Sequence, residues 1–215
     1  MSDHANLMVA TPTGGGIVHV DHVATLIGLA RARVAFSHVT ARAERDPSRA
    51  RNALLSAFHA RGGPTHLLFL DADVGLDAVD VIRMLGHGRD VVAAPVPLEA
   101  RGPEGEARFD VGGAVGEDGP LTLHERACAS AMLLSRRAVD ALVDDAKAGG
   151  RVYESATALD GDAGSRIDYD VFHAGAVDGD YVSGDARACE ALRRRGHAIH
   201  VDPAIVVRRH RIATF

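Results

Sequence analysis

The chain has 215 residues, 47% hydrophobic and 25% charged, an ordinary globular composition with length enough for one domain and a sizeable core. Its formal net charge is −5 and no Lys/Arg cluster stands apart from acids, which disfavours a duplex nucleic acid held through neutralised phosphates. No stretch approaches the roughly 18 apolar residues of a membrane span, and Met1-Ser2-Asp3-His4-Ala5-Asn6 lacks the basic flank of a signal peptide, so a cytoplasmic chain with no integral membrane segment is expected.

In chain order, short apolar runs alternate with helical periodicity. Leu7–Ala10 reads as a strand, about Val20–Arg33 as a helix, Val34–Val39 as a strand and about Pro47–Arg61 as a helix. Thr65–Leu70, a helix over about Leu76–Gly86, and Val91–Ala94 continue the rhythm, which implies an α/β fold with a mostly parallel central sheet covered by helices. After Pro95 come hairpin-like segments at Phe109–Val115 and Leu121–Leu134, a small antiparallel extension, then a helix from about Arg136 to Ala148. Gly149–Val182 is rich in Gly and Asp and reads as a mobile functional loop or lid. A helix from about Gly184 to Arg195, a strand at His197–Val201 and a strand-like Ala204–Val207 lead to His210. Cys128 and Cys189 match no metal-finger spacing and read as reduced, buried thiols.

The most informative stretch is Thr65-His66-Leu67-Leu68-Phe69-Leu70-Asp71-Ala72-Asp73-Val74, an apolar strand that ends in two carboxylates. Spaced i, i+2, Asp71 and Asp73 point to one side of an extended chain, at the sheet edge where α/β folds bind ligands. Oxygen ligands of that kind suit Mg²⁺ or Mn²⁺ on a substrate's phosphates. Thr11-Pro12-Thr13-Gly14-Gly15-Gly16 lacks the Lys-Ser/Thr of a P-loop and the third glycine of a dinucleotide fingerprint. Its hydroxyls and backbone N–H groups could still hold a base and ribose. On the second helix, Arg49 and Arg51 cannot share a face, and the pair Arg51-Asn52 is expected to reach the nucleotide. Asp185 shares a face with Cys189 and Leu192, which makes it either an inward base or a helix-start acid. His210 is a competent metal ligand but a weak signal alone. Asp160, Asp162, Asp168 and Asp170 miss the EF-hand spacing and read as a solvated acidic loop.

Together these segments resemble the GT-A-type glycosyltransferases, particularly compact bacterial and phage members of the family 2-like group. The resemblance covers nearly the whole chain: Ala10-Thr11-Pro12-Thr13, Arg51-Asn52, Leu68-Phe69-Leu70-Asp71-Ala72-Asp73, Ala129-Ser130-Ala131-Met132-Leu133-Leu134-Ser135-Arg136, Asp185 and His210 fall in the family's order. It implies a GT-A-like, Rossmann-like domain over 1–215, with a nucleotide-binding half to about residue 95 and an acceptor and catalytic half from about 96. It further implies nucleotide-sugar binding at Thr11, Pro12, Thr13, Arg51, Asn52, Asp71 and Ala72, with Mn²⁺ or Mg²⁺ on Asp71, Asp73 and His210. Asp185 would be the catalytic base, with Gly184 standing where the family commonly has Glu. The expected reaction moves a sugar from a UDP- or GDP-linked donor to a hydroxyl, inverting or retaining; the acceptor could be a glycan, lipid-linked sugar, protein, small molecule or modified nucleobase. Two alternatives stay open. A nucleotidyltransferase would want a basic Gly-rich loop, and Gly14–Gly16 has no Lys or Arg nearby in sequence; a non-catalytic nucleotide-sugar-binding domain is favoured by Gly184.

Overall fold

Each apolar run of the first hundred residues is closed off by residues that cannot extend it, as Gly62-Gly63-Pro64 do ahead of the third strand. In the computed structural model, which describes residues 5–42, 44–98, 100, 105–160 and 165–210, these runs form β1 (Asn6–Pro12), β2 (Ala35–Ala41), β3 (His66–Leu70), the short β4 (Val74–Gly75) and β5 (Val91–Ala93). Between them lie α1 (Val20–Arg31), α2 (Pro47–Ala60) and α3 (Ala78–Gly86). The start of α2 is set by Asp46, whose carboxylate accepts from Ser48 N at 2.8 Å and Arg49 N at 3.1 Å, with Pro47 opening the first turn. The second half adds β6 (Ala114–Asp118), β7 (Leu121–His124), β8 (Ala131–Ser135), α4 (Arg136–Ala148), β9 (Val152–Ser155), β10 (Arg166–Tyr169), β11 (Gly175–Val177) and β12 (Asp180–Val182). It ends with α5 (Gly184–Arg194), β13 (Ile199–Val201) and β14 (Arg208–Arg209).

The main sheet has eight strands in the order β2-β1-β3-β8-β5-β13-β7-β6. It is mixed, which corrects the expectation of a mostly parallel sheet: β1–β2, β1–β3 and β5–β13 are parallel, while β3–β8, β5–β8, β13–β7 and β6–β7 are antiparallel. The cause is β8, which enters between β3 and β5 against both, with Leu133 opposite Leu68 on one side and Val92 on the other. An apolar strand covered on both faces carries no direction in its composition. Alternate side chains feed two cores. Met8, Ala10, Leu67 and Phe69 face α2, α4 and α5, while Leu7, Val9, Leu68 and Leu70 face α1 and α3. Among the described residues no helix is long and apolar enough to cross a membrane.

Where a loop was expected over 149–182, the described residues of that stretch form two hairpins. β9 pairs antiparallel with β10, and β11 with β12. The first hairpin covers the outer face of α2, so Ala50–Phe58 is buried all round. The acids there are matched rather than solvated: Asp168, fully buried, accepts from Arg166 Nε at 2.8 Å, Asp160 pairs with Thr40 and Arg42, and Asp170 accepts from Asn52. Asp162 lies outside the described residues. Ala204–Val207 is not a strand: Pro203-Ala204 forms a turn and Ile205–Val207 is irregular, and fully buried Asp202 accepts from Ala204 N at 3.0 Å and from Arg83 Nε at 2.6 Å. Both cysteines are buried and free, and burial pushes the Cys128 thiol up to about 12, which suits packing and not nucleophilic chemistry.

Candidate functional site

β3 leaves the sheet at Leu70, and Asp71-Ala72-Asp73 turns across the carboxyl ends of β1 and β3, with Val74 N donating to Asp71 O at 3.0 Å. Beside this turn lies a cavity of about 310 Å³ whose wall brings together Pro12, Thr13, Arg51, Asp71, Ala72 and Asp73. Gly14, Glu44, Arg45 and Pro47 complete it. Glu44 and Arg45 follow β2, which lies parallel to β1 and so ends at the same edge; that parallel pairing is the signal that could have found them. Arg45 also gives Gly14 the cationic neighbour that sequence alone did not show.

Arg51 organises the site. It is 8% exposed on the first turns of α2, and its Nη2 donates to both Asp71 oxygens, at 2.9 and 2.8 Å. Ser130, at the start of the β8 segment, donates its hydroxyl to Asp71 Oδ2 at 2.6 Å. Arg51 Nη1 lies 3.6 Å from Asp185 Oδ1, and Ala129 N donates to Asp185 Oδ2 at 3.1 Å. Burial by itself would lower the Arg51 pKa, but the two carboxylates hold it above its ordinary value, so the guanidinium stays charged. Asp185 stands beyond Arg51, outside the cavity wall. Gly184 next to it is a packing requirement: a Cβ there would run into the Phe172 carbonyl and sit 2.9 Å from Ser48 Oγ. This close approach of helix and loop leaves no room for a side chain at position 184.

Two expected contacts are spent elsewhere. Asn52, 1% exposed, donates to Asp170 Oδ1 at 2.7 Å and accepts from Val171 N at 3.0 Å and Phe172 N at 2.9 Å. Once β9–β10 buries that face of α2, the amide must find partners there, and it does not reach the cavity. Thr11 is fully buried between two imidazoles, its hydroxyl 3.0 Å from His38 Nε2 and 3.4 Å from His22 Nε2. Of Thr11, Pro12 and Thr13, the last two line the cavity, with Gly14 beside them.

His22 and His38, both unforeseen from the sequence, form a chain with Thr11. His22 Nδ1 donates to the Asp71 carbonyl at 3.1 Å, so its Nε2 accepts from Thr11, whose oxygen in turn accepts from His38 Nε2. Burial lowers both imidazoles; the Asp71 carbonyl opposes this for His22, and the neighbouring His22 adds to it for His38. Folded-state pKa values below the unfolded value of about 6.5 mean that the unfolded chain takes up protons first. Stability is full above about pH 6.5 and falls below it, by at most about 1.4 kcal/mol per pH unit for each histidine. Urea midpoints from pH 7.5 down to 5.5 are expected to fall more steeply in the wild type than in His38→Gln, and identical slopes would remove this account.

The expected metal triad does not assemble. The oxygens of Asp71 are engaged by Arg51 and Ser130, and His210 Nε2 is turned to Asp21 Oδ2 at 2.5 Å. Among the described residues, Asp71, Asp73 and His210 make no group with donor atoms within 4.8 Å of one another. Asp73 lines the cavity with its Oδ2 3.6 Å from Arg209 Nε, and a divalent ion there would take its remaining ligands from a substrate's phosphate oxygens.

Fold and site together define an α/β protein with a cleft of carboxylates and arginines at the carboxyl ends of its parallel strands. No family model and no curated protein matches the chain. Among solved structures, A197 from STIV is similar in fold, with a TM-score of 0.59 over 96% of this chain and 86% of that one at 12% identity. At that identity the likeness concerns the scaffold alone.

Proposed function

We propose that the protein is a glycosyltransferase of GT-A-like fold, moving a sugar from a nucleoside diphosphate to an acceptor hydroxyl. The observation that carries this reading is the meeting of Pro12, Thr13, Arg51, Asp71, Ala72 and Asp73 on one cavity wall, although they come from three separate elements. The parallel trio β2-β1-β3 followed by the reversed β8 supports the fold. In this reading the base and ribose lie against Pro12 and Thr13. Asp71, fixed by Arg51 and Ser130, has capacity left on Oδ1 for a ribose hydroxyl. Asp73 faces the diphosphate, and Arg45 adds positive charge to the same wall. A divalent ion on Asp73, when bound, offsets the charge on the departing diphosphate. Asp185 takes the proton of the attacking hydroxyl, with the acceptor approaching from the α5 side of Arg51.

The test is calorimetry of UDP- and GDP-sugars in Mn²⁺. Asp73→Asn is expected to weaken donor affinity by at least about tenfold. Unchanged affinity would overturn the assignment. Release of a nucleoside diphosphate supports transfer, release of inorganic diphosphate from a nucleoside triphosphate points to a nucleotidyltransferase, and donor binding without turnover points to a binding domain.

A further inference from the structure

We propose that His19, Asp21 and His210 form a binding site for one divalent transition-metal ion, separate from the cavity and bracing the Asp71-Ala72-Asp73 turn. Their donor atoms lie within 4.8 Å of one another, and all three side chains are partly exposed, which leaves an entry path. Asp21 Oδ2 is 2.5 Å from His210 Nε2 and 3.9 Å from His19 Nδ1, and the two imidazole rings stack at 3.7 Å. Two imidazoles and one carboxylate suit Zn²⁺, Co²⁺, Fe²⁺ or Mn²⁺, whereas Mg²⁺ and Ca²⁺ prefer oxygen donors. Three protein ligands leave a position for water.

The site depends on a close approach. A Cβ on Gly75 would lie 2.7 Å from Asp21 Cβ and 3.0 Å from its carbonyl oxygen, so the glycine lets the start of α1 reach β4. β14 pairs with β4 from the other side, with Arg208 opposite Gly75 and Arg209 opposite Val74, and this delivers His210. Two ligand residues also hold the turn through their backbones: His19 N donates to Ala72 O at 2.7 Å and His210 N to Asp73 O at 2.9 Å. An ion joining His19 to His210 thus ties both flanks of the segment that carries Asp71 and Asp73. The positive end of α1 and Arg208, whose Nε is 3.8 Å from Asp21 Oδ2, oppose a cation; Arg208 has Asp77 as a second partner at 3.0 Å.

The experiment is titration of the full chain, without nucleotide, with Zn²⁺, Mn²⁺ and Mg²⁺ by calorimetry, and with Co²⁺ by visible absorption. One saturable site is expected, with Zn²⁺ tighter than Mn²⁺ and Mg²⁺ weakest, and Zn²⁺ raising the unfolding temperature. His19 caps α1, its Nδ1 accepting from Asp21 N at 3.2 Å; His19→Asn keeps a side chain suited to that cap but removes the imidazole, and should weaken Zn²⁺ by about a hundredfold or more. Arg208→Gln should strengthen it, and Asp73→Asn should leave it unchanged. Absence of saturable Zn²⁺ binding, or Zn²⁺ affinity unaltered in both His19→Asn and His210→Ala, overturns the proposal. Either outcome leaves the cavity reading standing, because that rests on donor binding at Asp73.

Discussion

Asp185→Asn is expected to slow sugar transfer by about 10²–10⁴-fold while donor affinity stays within about twofold of the wild type. The reasoning is one of geometry. Asp185 hangs from the first turn of α5, anchored through Oδ2 by the Ala129 amide, and among the described residues Oδ1 is engaged by a long contact of 3.6 Å to Arg51. An asparagine still accepts from Ala129, so the anchor and the fold survive, but the amide cannot accept a proton. A pure base therefore shows its loss in kcat, whereas a side chain that served only to hold Arg51 would show it in donor binding. Turnover at the wild-type rate would remove Asp185 from the chemistry.

Arg51→Leu is expected to destabilise the protein by about 3–5 kcal/mol, the cost of leaving a largely buried carboxylate without its cation. Asp71 loses both charge-assisted bonds and keeps Ser130 and its surroundings of strand ends. Adding Asp71→Asn to that variant removes the stranded charge and should recover part of the loss, about 1–2 kcal/mol, because the remaining penalty is then an unpaired amide. Urea unfolding of the two single variants and the double variant measures this. A loss under about 1 kcal/mol for Arg51→Leu would mean that the Arg51–Asp71 pair is solvated and does not organise the cleft.

Several parts of the site were readable before any folding was considered. The apolar run before Asp71, bounded by Gly62-Gly63-Pro64, places the Asp71-Ala72-Asp73 turn at a strand end, and Pro12 and Thr13 follow from the strand before it. Arg51 was readable from its place near the start of a capped helix. Its neighbour Asn52 was misplaced, since adjacent helical residues point to different sides and the hairpin that buries Asn52 lies more than a hundred residues later. His210 was singled out, but its true neighbours, His19 and Asp21, sit near the other end of the described chain. The sequence signal for them was local, three polar groups within Val18-His19-Val20-Asp21-His22 at a helix start.

What the sequence alone determined is whatever depends on local periodicity and short-range stereochemistry: the alternation of strands and helices and the acids at the end of β3. Tertiary structure decided the rest: the reversal of β8, the burial of α2 beneath β9–β10, the close approach that requires the glycine at 184, and the convergence of His19, Asp21 and His210. The physical reason is that strand direction and long-range contact are set by which surfaces can be buried together, and no single segment carries that information in its own pattern.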